Sequence, residues 1–211
     1  MTPIYFKFES LIQEKQERII NAAIKEFVKS GYDKASTNEI VKEAGISKGS
    51  LFHYFNNKKD LYLYLLDHTL KVIENNIYTD INFKETDIFN RIGQIGRTKL
   101  QVMTTYPQIF DFLKSAAADD SPEVKPEFVE KQKQVLAQGF EKIYENIDWS
   151  KFREGIDIEK SVNIINWTML GYAEKEKEKL ISYSEAGVGQ LEEWDRYAEI
   201  LKSCFYKIEG E

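Results

Sequence analysis

Residues 36–55 constrain the fold of this chain most strongly, because they carry signals for two short helices and a tight turn. Ser36 is followed three residues later by Glu39, which is the spacing of a capping box at a helix start. Gly45 is placed to end that helix, since a residue without Cβ adopts left-handed backbone at little cost. Ser47 then caps a second helix. This order of signals predicts a helix-turn-helix.

The same residues resemble a known family. Residues 45–55, GISKGSLFHYF, and residues 57–61, NKKDL, closely resemble the DNA-binding domain of TetR-family transcriptional repressors. The helix predicted before them, residues 18–31, matches the pattern too, so the resemblance extends over roughly residues 14–66. This chain has Phe52 where the family usually has a tyrosine whose hydroxyl often reaches a phosphate. The resemblance therefore implies that Phe52 serves packing only.

Charge is distributed unevenly along the sequence. The net charge of -6 opposes contact with DNA, whose affinity for proteins rests on neutralised phosphates. Residues 34–59, however, carry five lysines and two glutamates, a net charge of +3, and the acidic excess follows in residues 60–211. Positive charge is thus concentrated at the predicted helix-turn-helix, and the acidic remainder disfavours contact elsewhere.

The first residues of the second helix in a helix-turn-helix meet base edges, while flanking groups bind phosphates. By position and by resemblance Lys48 is the predicted base reader, because lysine donates to guanine O6 and N7. Lys58 begins the next helix, where a cation opposes the helix dipole, so a bound phosphate would explain it. Alternatives to a DNA contact stay open for three residues. Lys48 could be only a solvated surface lysine, Ser47 only a helix cap and Tyr54 only a packing residue. The predicted DNA contacts are Thr37, Asn38, Ser47, Lys48, Gly49, Ser50, His53, Tyr54, Lys58 and Lys59.

Apolar residues recur with helical spacing nearly throughout the chain, and no strand-like alternation is present. We therefore predict an all-α protein with a head of about three helices and a body of about six. The predicted domains are a DNA-binding head, 1–56, and a helical ligand-binding and dimerisation body, 57–211. Within the body, one helix is predicted from Thr86 or Asp87 to Thr105, and two more are predicted over residues 107–118 and 122–147.

The last two predicted helices carry apolar residues at alternating spacings of three and four, a pattern typical of near-parallel helix packing. The resemblance implies that these helices pair two copies of the chain in a four-helix bundle. The predicted dimer interface is Ile158, Val162, Ile165, Leu191, Trp194, Ala198, Leu201 and Phe205.

The resemblance also implies a small molecule bound inside the body, which releases the operator by changing the spacing of the two heads. Aromatic and methionine side chains make adaptable apolar walls. The candidate pocket residues are Met103, Tyr106, Phe110, Trp149, Trp167, Met169 and Tyr172. The alternative for each is an ordinary core position, and Trp167 and Tyr172 are also candidates for the dimer seam.

Several classes of protein are disfavoured by the sequence. No apolar run is long enough to span a membrane, and no secretory signal is visible. A single cysteine, Cys204, fits a reducing cytoplasm. His53 and His68 have no metal-ligand spacing, and no catalytic or nucleotide-binding motif is present, so neither a metal, a cofactor nor an enzyme is predicted.

Three hypotheses remain open. The first is a homodimeric repressor that binds a palindromic double-stranded operator and responds to a small molecule. The second is a DNA-binding regulator controlled by a protein partner, with a filled body and no small-molecule pocket. The third, a helical enzyme with a vestigial head, lacks a catalytic constellation to support it.

Overall fold

A computed structural model of the chain describes residues 5–79 and 81–207. Within these residues it contains ten α-helices and no β-strand, which confirms the predicted all-α class. The helices are α1 (Phe6–Glu9), α2 (Gln13–Lys34), α3 (Thr37–Ala44), α4 (Lys48–Tyr54), α5 (Lys58–Thr79), α6 (Ile88–Thr105), α7 (Pro107–Ala118), α8 (Lys125–Tyr144), α9 (Ile158–Lys179) and α10 (Val188–Phe205). None of these described helices combines the length and apolarity that a membrane span needs.

Local signals account for several helix ends. The Asp87 carboxylate caps α6, accepting from the backbone N–H groups of Phe89 at 3.0 Å and Asn90 at 3.1 Å. α7 begins at Pro107, where a missing N–H does no harm. α8 is shorter than the predicted helix over 122–147, because the chain first turns at Ser121, whose carbonyl accepts from Val124 and Lys125.

The described helices pack into two compact units. The N-terminal unit takes residues up to 74 together with 108–135, and the C-terminal unit takes 75–107 and 136 onward. α5 and α8 therefore each contribute residues to both units. The boundary predicted at residue 56 stays a prediction.

An aromatic cluster forms the centre of the N-terminal unit. The ring of Tyr62 lies 5.0 Å from Phe27, 5.1 Å from Tyr32 and 5.4 Å from Phe112, centroid to centroid. α2 kinks just before Tyr32, at Gly31, whose φ of 69° favours glycine. The backbone N–H freed at this kink, that of Tyr32, donates to the Asp119 carboxylate at 2.6 Å. Aromatic packing and this hydrogen bond thus fix the end of α2 that leads into α3.

The C-terminal unit is built from α6, α9 and α10 around a second apolar core. α10 packs closely on α6, since a Cβ placed at Gly96 would lie only 3.2 Å from a Leu191 methyl. Four residues predicted for the dimer interface, Ile165, Trp194, Ala198 and Phe205, are buried in this core within one chain. Ile158 and Leu201 pack against it. The 3.5-residue spacing is thus accompanied by packing inside the unit, and the assignment of these residues to a dimer interface stays a prediction.

A buried cation holds part of this unit together. Arg91 is 0% exposed, and burial lowers the pKa of its guanidinium. Its N–H groups donate to five backbone carbonyl oxygens, those of Phe83, Glu85, Lys142, Ile143 and Glu145. Because Lys142 and Ile143 lie in the last turn of α8 and Glu145 directly follows it, Arg91 satisfies acceptors that a helix end leaves unpaired.

Candidate nucleic-acid interface

The supporting helix α3 begins at Ser36, as predicted. The Ser36 hydroxyl accepts from the Glu39 N–H, although the distance of 3.4 Å makes this a long hydrogen bond. The backbone N–H of Ser36 donates to the Glu26 carboxylate at 2.9 Å, a role that the capping box assigns to Glu39. A side chain from α2 thus replaces one half of the predicted box and ties the start of α3 to α2.

The turn between α3 and α4 has the geometry predicted for it. Gly45 is left-handed, with φ 64° and ψ 39°. The N–H groups of Gly45 and Ile46 donate back to the carbonyls of Lys42 at 3.3 Å and Val41 at 3.0 Å. Ile46 is half-buried against the core of the N-terminal unit. These contacts close the turn and fix the angle at which α4 leaves it.

α4 begins at Lys48 and is capped by Ser47, whose hydroxyl accepts from the Ser50 N–H at 3.0 Å. Its inner face is anchored by Leu51 and by Phe55, the residue that follows the helix; both are buried. Its other face is exposed through Lys48, Gly49, Phe52 and His53, and Ser50 is half-buried. The structure therefore presents the first turn of α4 to solvent on a rigid base.

Phe52 differs from the packing role that the resemblance implies. Its side chain is 38% exposed, and its ring centroid lies 6.0 Å from the Lys48 ammonium. The two residues are four positions apart on one helix, so the ring forms a surface against which the lysine lies. Phe52 thus lies beside the Lys48 ammonium, a contact that sequence analysis did not predict.

Lys58 and Lys59 are engaged within the N-terminal unit. The Lys58 ammonium donates to the carbonyls of Tyr32 at 2.8 Å, Asp33 at 3.0 Å and Ala35 at 3.5 Å. An ammonium has three hydrogens, so these carbonyls at the end of α2 take them all. Lys59 forms an ion pair with Glu127. The phosphate contacts predicted for both lysines remain untested, and each would require these bonds to be exchanged.

The remaining predicted DNA contacts lie on two elements. Thr37 and Asn38 form the first turn of α3, the former half-buried and the latter exposed. Tyr54, at the last turn of α4, is half-buried, and its hydroxyl accepts from the Lys15 ammonium at 3.1 Å. Lys15, in the first turn of α2, was absent from the predicted set because only the tertiary fold brings it to α4.

The seven candidate pocket residues do not gather within one unit. Phe110 belongs to the N-terminal unit and the others to the C-terminal unit. Trp149, Met169 and Tyr172 pack against the core of the C-terminal unit, and the Tyr172 hydroxyl donates to the Gln190 carbonyl at 2.6 Å. Met103 and Tyr106 are half-buried, whereas Trp167 is 69% exposed. The pocket assignment as a whole stays a prediction.

Comparison with known proteins identifies the class to which the helix-turn-helix belongs. Residues 19–65 match the family described as bacterial regulatory proteins, tetR family. Residues 19–65 are therefore similar to this family, in agreement with the resemblance predicted from the sequence.

Two curated relatives from Bacillus subtilis (strain 168) align with the same part of the chain. The HTH-type transcriptional regulator YxaF, itself uncharacterised, is 39% identical over 62 residues, which are 29% of this chain and 32% of YxaF. YvdT, of the same description, is 40% identical over 73 residues, 33% of this chain and 38% of YvdT. The chain thus spans about a third of the length of these relatives.

A solved structure shows similarity over nearly the whole chain. The crystal structure of a TetR family transcriptional regulator from Chloroflexus aurantiacus J-10-FL superposes with a TM-score of 0.63 at 21% identity. The superposition covers 96% of this chain and 98% of that one. The C-terminal helices therefore share a fold with this regulator, although the sequence identity is low.

Proposed function

We propose that this chain is a homodimeric transcriptional regulator that binds a palindromic DNA operator in the cytoplasm. The observation that carries the proposal is the exposed, lysine-led first turn of α4, anchored from behind by Leu51 and Phe55. A helix of this size fits the major groove, which is about 12 Å wide. Lys48 then donates to base edges, and Gly49 permits close approach of the backbone.

Contacts to phosphate fix the register of this helix on the duplex. The first turn of α3 presents Asn38 and the backbone N–H groups of a helix start, which attract anions. His53 and Ser50 lie on the exposed or half-exposed face of α4 and are candidates for the same task. Lys58 and Lys59 support the proposal less, because their ammonium groups already have partners within the protein.

Dimerisation is proposed through the outer faces of α9 and α10. Both helices leave apolar side chains exposed, and this exposure supports an interface better than the buried residues predicted from spacing. The exposed side chains are Ile164, Trp167 and Leu170 on α9 and Tyr197 and Ile200 on α10. Contiguous exposed apolar surface commonly marks a protein interface. A second copy is the natural occupant, since helix-turn-helix proteins bind paired half-sites one helical turn apart.

We further propose that the regulator is a repressor and that a small molecule in the C-terminal unit releases it from DNA. Two buried polar atoms there support a bound ligand. Within the described residues, the Trp194 indole N–H has no acceptor and the Gln94 side-chain carbonyl has no donor. Buried polar groups are nearly always satisfied, so a small molecule or water completes these bonds. Native mass spectrometry of protein purified from its own host tests this, and a spectrum with protein mass alone would contradict it.

The DNA-binding proposal is tested by selecting genomic fragments with the purified protein and measuring their affinity by fluorescence anisotropy. We expect Lys48→Ala to lose about 10- to 100-fold in discrimination between the selected site and a scrambled one. Lys160→Ala, which removes an exposed lysine from the C-terminal unit, serves as the control and should bind as the parent does. Equal discrimination by all three proteins would refute the role of Lys48.

A further inference from the structure

The contact between Lys15 and Tyr54 joins the start of α2 to the end of α4. The Lys15 ammonium lies 3.1 Å from the Tyr54 hydroxyl oxygen and 5.5 Å from the centroid of its ring. An ammonium can only donate, so the phenol oxygen accepts this bond. The hydroxyl hydrogen of Tyr54 is left over, and no described residue accepts it. The pair therefore presents an unused O–H donor beside a positive charge.

The charge of Lys15 is uncompensated, in contrast to that of Arg18 and Lys25 on the same helix. Arg18 lies 3.9 Å from Glu14, and Lys25 lies 2.6 Å from Glu43. Among the described residues, no carboxylate comes within ion-pair distance of Lys15. A cation in the first turn of a helix also opposes the helix dipole, so the stability of α2 does not explain this lysine.

The position of the pair along α4 suits a phosphate at the edge of the groove. Tyr54 follows Lys48 by six residues, which is about 9 Å along a helix axis. The phosphate backbones lie on either side of a major groove about 12 Å wide. When Lys48 meets base edges, Tyr54 consequently lies near one backbone. His53, which precedes it, is exposed on the same helix, so solvent reaches this end of α4.

We infer that Lys15 and Tyr54 together bind one DNA phosphate. Lys15 supplies the charge and is held in place by the phenol oxygen, while the Tyr54 hydroxyl donates the second hydrogen bond. This inference rests on the proposed DNA-binding function and adds a contact from α2 that sequence analysis did not assign. Lys15 then contributes to the affinity for DNA of any base sequence, whereas Lys48 discriminates between bases.

The test measures the dependence of DNA affinity on salt, using fluorescence anisotropy in KCl on a fragment selected by the parent protein. A phosphate-binding lysine contributes about 0.9 to the slope of log affinity against log salt. We expect Lys15→Gln to lower the slope by about one and to weaken binding about tenfold at low salt. Lys15→Arg should restore the slope. Lys25→Gln, on the same helix but paired with Glu43, should leave it unchanged.

Tyr54→Phe distinguishes a shared site from two separate ones. Because both residues hold the same phosphate, this substitution should weaken binding in the parent and much less in the Lys15→Gln background. An unchanged slope in Lys15→Gln, with Lys48→Ala still impaired, would overturn the inference and leave the proposed function intact. A parent protein that retains no genomic fragment would overturn both. If Lys15→Gln proves unfolded by circular dichroism, Tyr54→Phe still decides the question, since a folded Tyr54→Phe protein that binds DNA as the parent does would overturn the inference.

Discussion

Replacing Arg91 by methionine should destabilise the C-terminal unit severely. The substitution keeps a long, unbranched side chain but removes every N–H that donates to the five carbonyls around it. A carbonyl left buried without a donor costs about 1 to 3 kcal/mol. If water hydrogen-bonds to three of the five carbonyls, the two that remain without a donor lower the free energy of unfolding by about 4 kcal/mol.

Urea unfolding followed by tryptophan fluorescence measures this loss of stability in the C-terminal unit. All three tryptophans, Trp149, Trp167 and Trp194, lie in the same unit as Arg91. With an m-value of about 2 kcal/mol per molar urea, the midpoint should fall by about 2 M. The urea midpoint of Arg91→Lys should lie between those of the parent and Arg91→Met, because lysine keeps the charge but offers only three donors.

The matched control is Arg196→Met, which makes the same change at an exposed position of the same unit. Arg196 forms a surface ion pair with Glu193 at 2.9 Å. Surface ion pairs contribute little to stability, so the free energy of unfolding of Arg196→Met should lie within about 0.5 kcal/mol of that of the parent. An Arg91→Met protein within about 1 kcal/mol of the parent would refute the assignment of Arg91 as the group that satisfies these carbonyls.

Three further predictions concern other parts of the chain. Lys58→Met should lower the free energy of unfolding by about 1 to 2 kcal/mol and leave the salt slope of DNA binding unchanged, because the ammonium serves the α2 carbonyls; a slope lowered by one would restore its role at a phosphate. Ile200→Asp should convert the dimer to monomer in sedimentation equilibrium, since this side chain is 61% exposed on α10, whereas Ile12→Asp in the N-terminal unit should not. Burial, and secondarily Lys71, lower the pKa of His68 below its ordinary 6.5. The unfolded state therefore binds the proton more tightly, and stability should decline as pH falls below about 6.5; His68→Gln should flatten that part of the profile in urea melts at several pH values.

The helix-turn-helix could be predicted from the sequence because its signals are local. Ser47 and Gly45 act on backbone groups a few residues away, and they have the predicted caps and dihedral angles in the structure. Pro107 similarly located the start of α7, and of the two alternatives for the start of α6, Thr86 and Asp87, the structure has Asp87 as the cap. The short helix α1 was not predicted, since four residues offer no periodicity to detect.

The partners of side chains could not be predicted in the same way. Periodicity indicates which face of a helix is apolar, but it does not indicate whether that face meets its own chain or a second copy. Ile165 and Trp194, for example, were predicted at an interface; they pack in a core of their own chain, and the interface itself stays a prediction. The same holds for Lys58, since a lysine at a helix start can serve a phosphate or the carbonyls of a neighbouring helix equally well, and its contacts with the α2 carbonyls are visible only in the structure.

Hydroxyl-radical footprinting of the protein on its selected genomic fragment tests the central proposal most directly. Two copies of α4 held outward by a dimer should protect two stretches of backbone on one face of the duplex, with centres one helical turn apart, about 34 Å, or a multiple of it. Lys48→Ala should abolish this pattern at concentrations where the parent produces it. A single protected stretch, or an identical footprint from Lys48→Ala, would contradict the proposal that paired α4 helices read the operator.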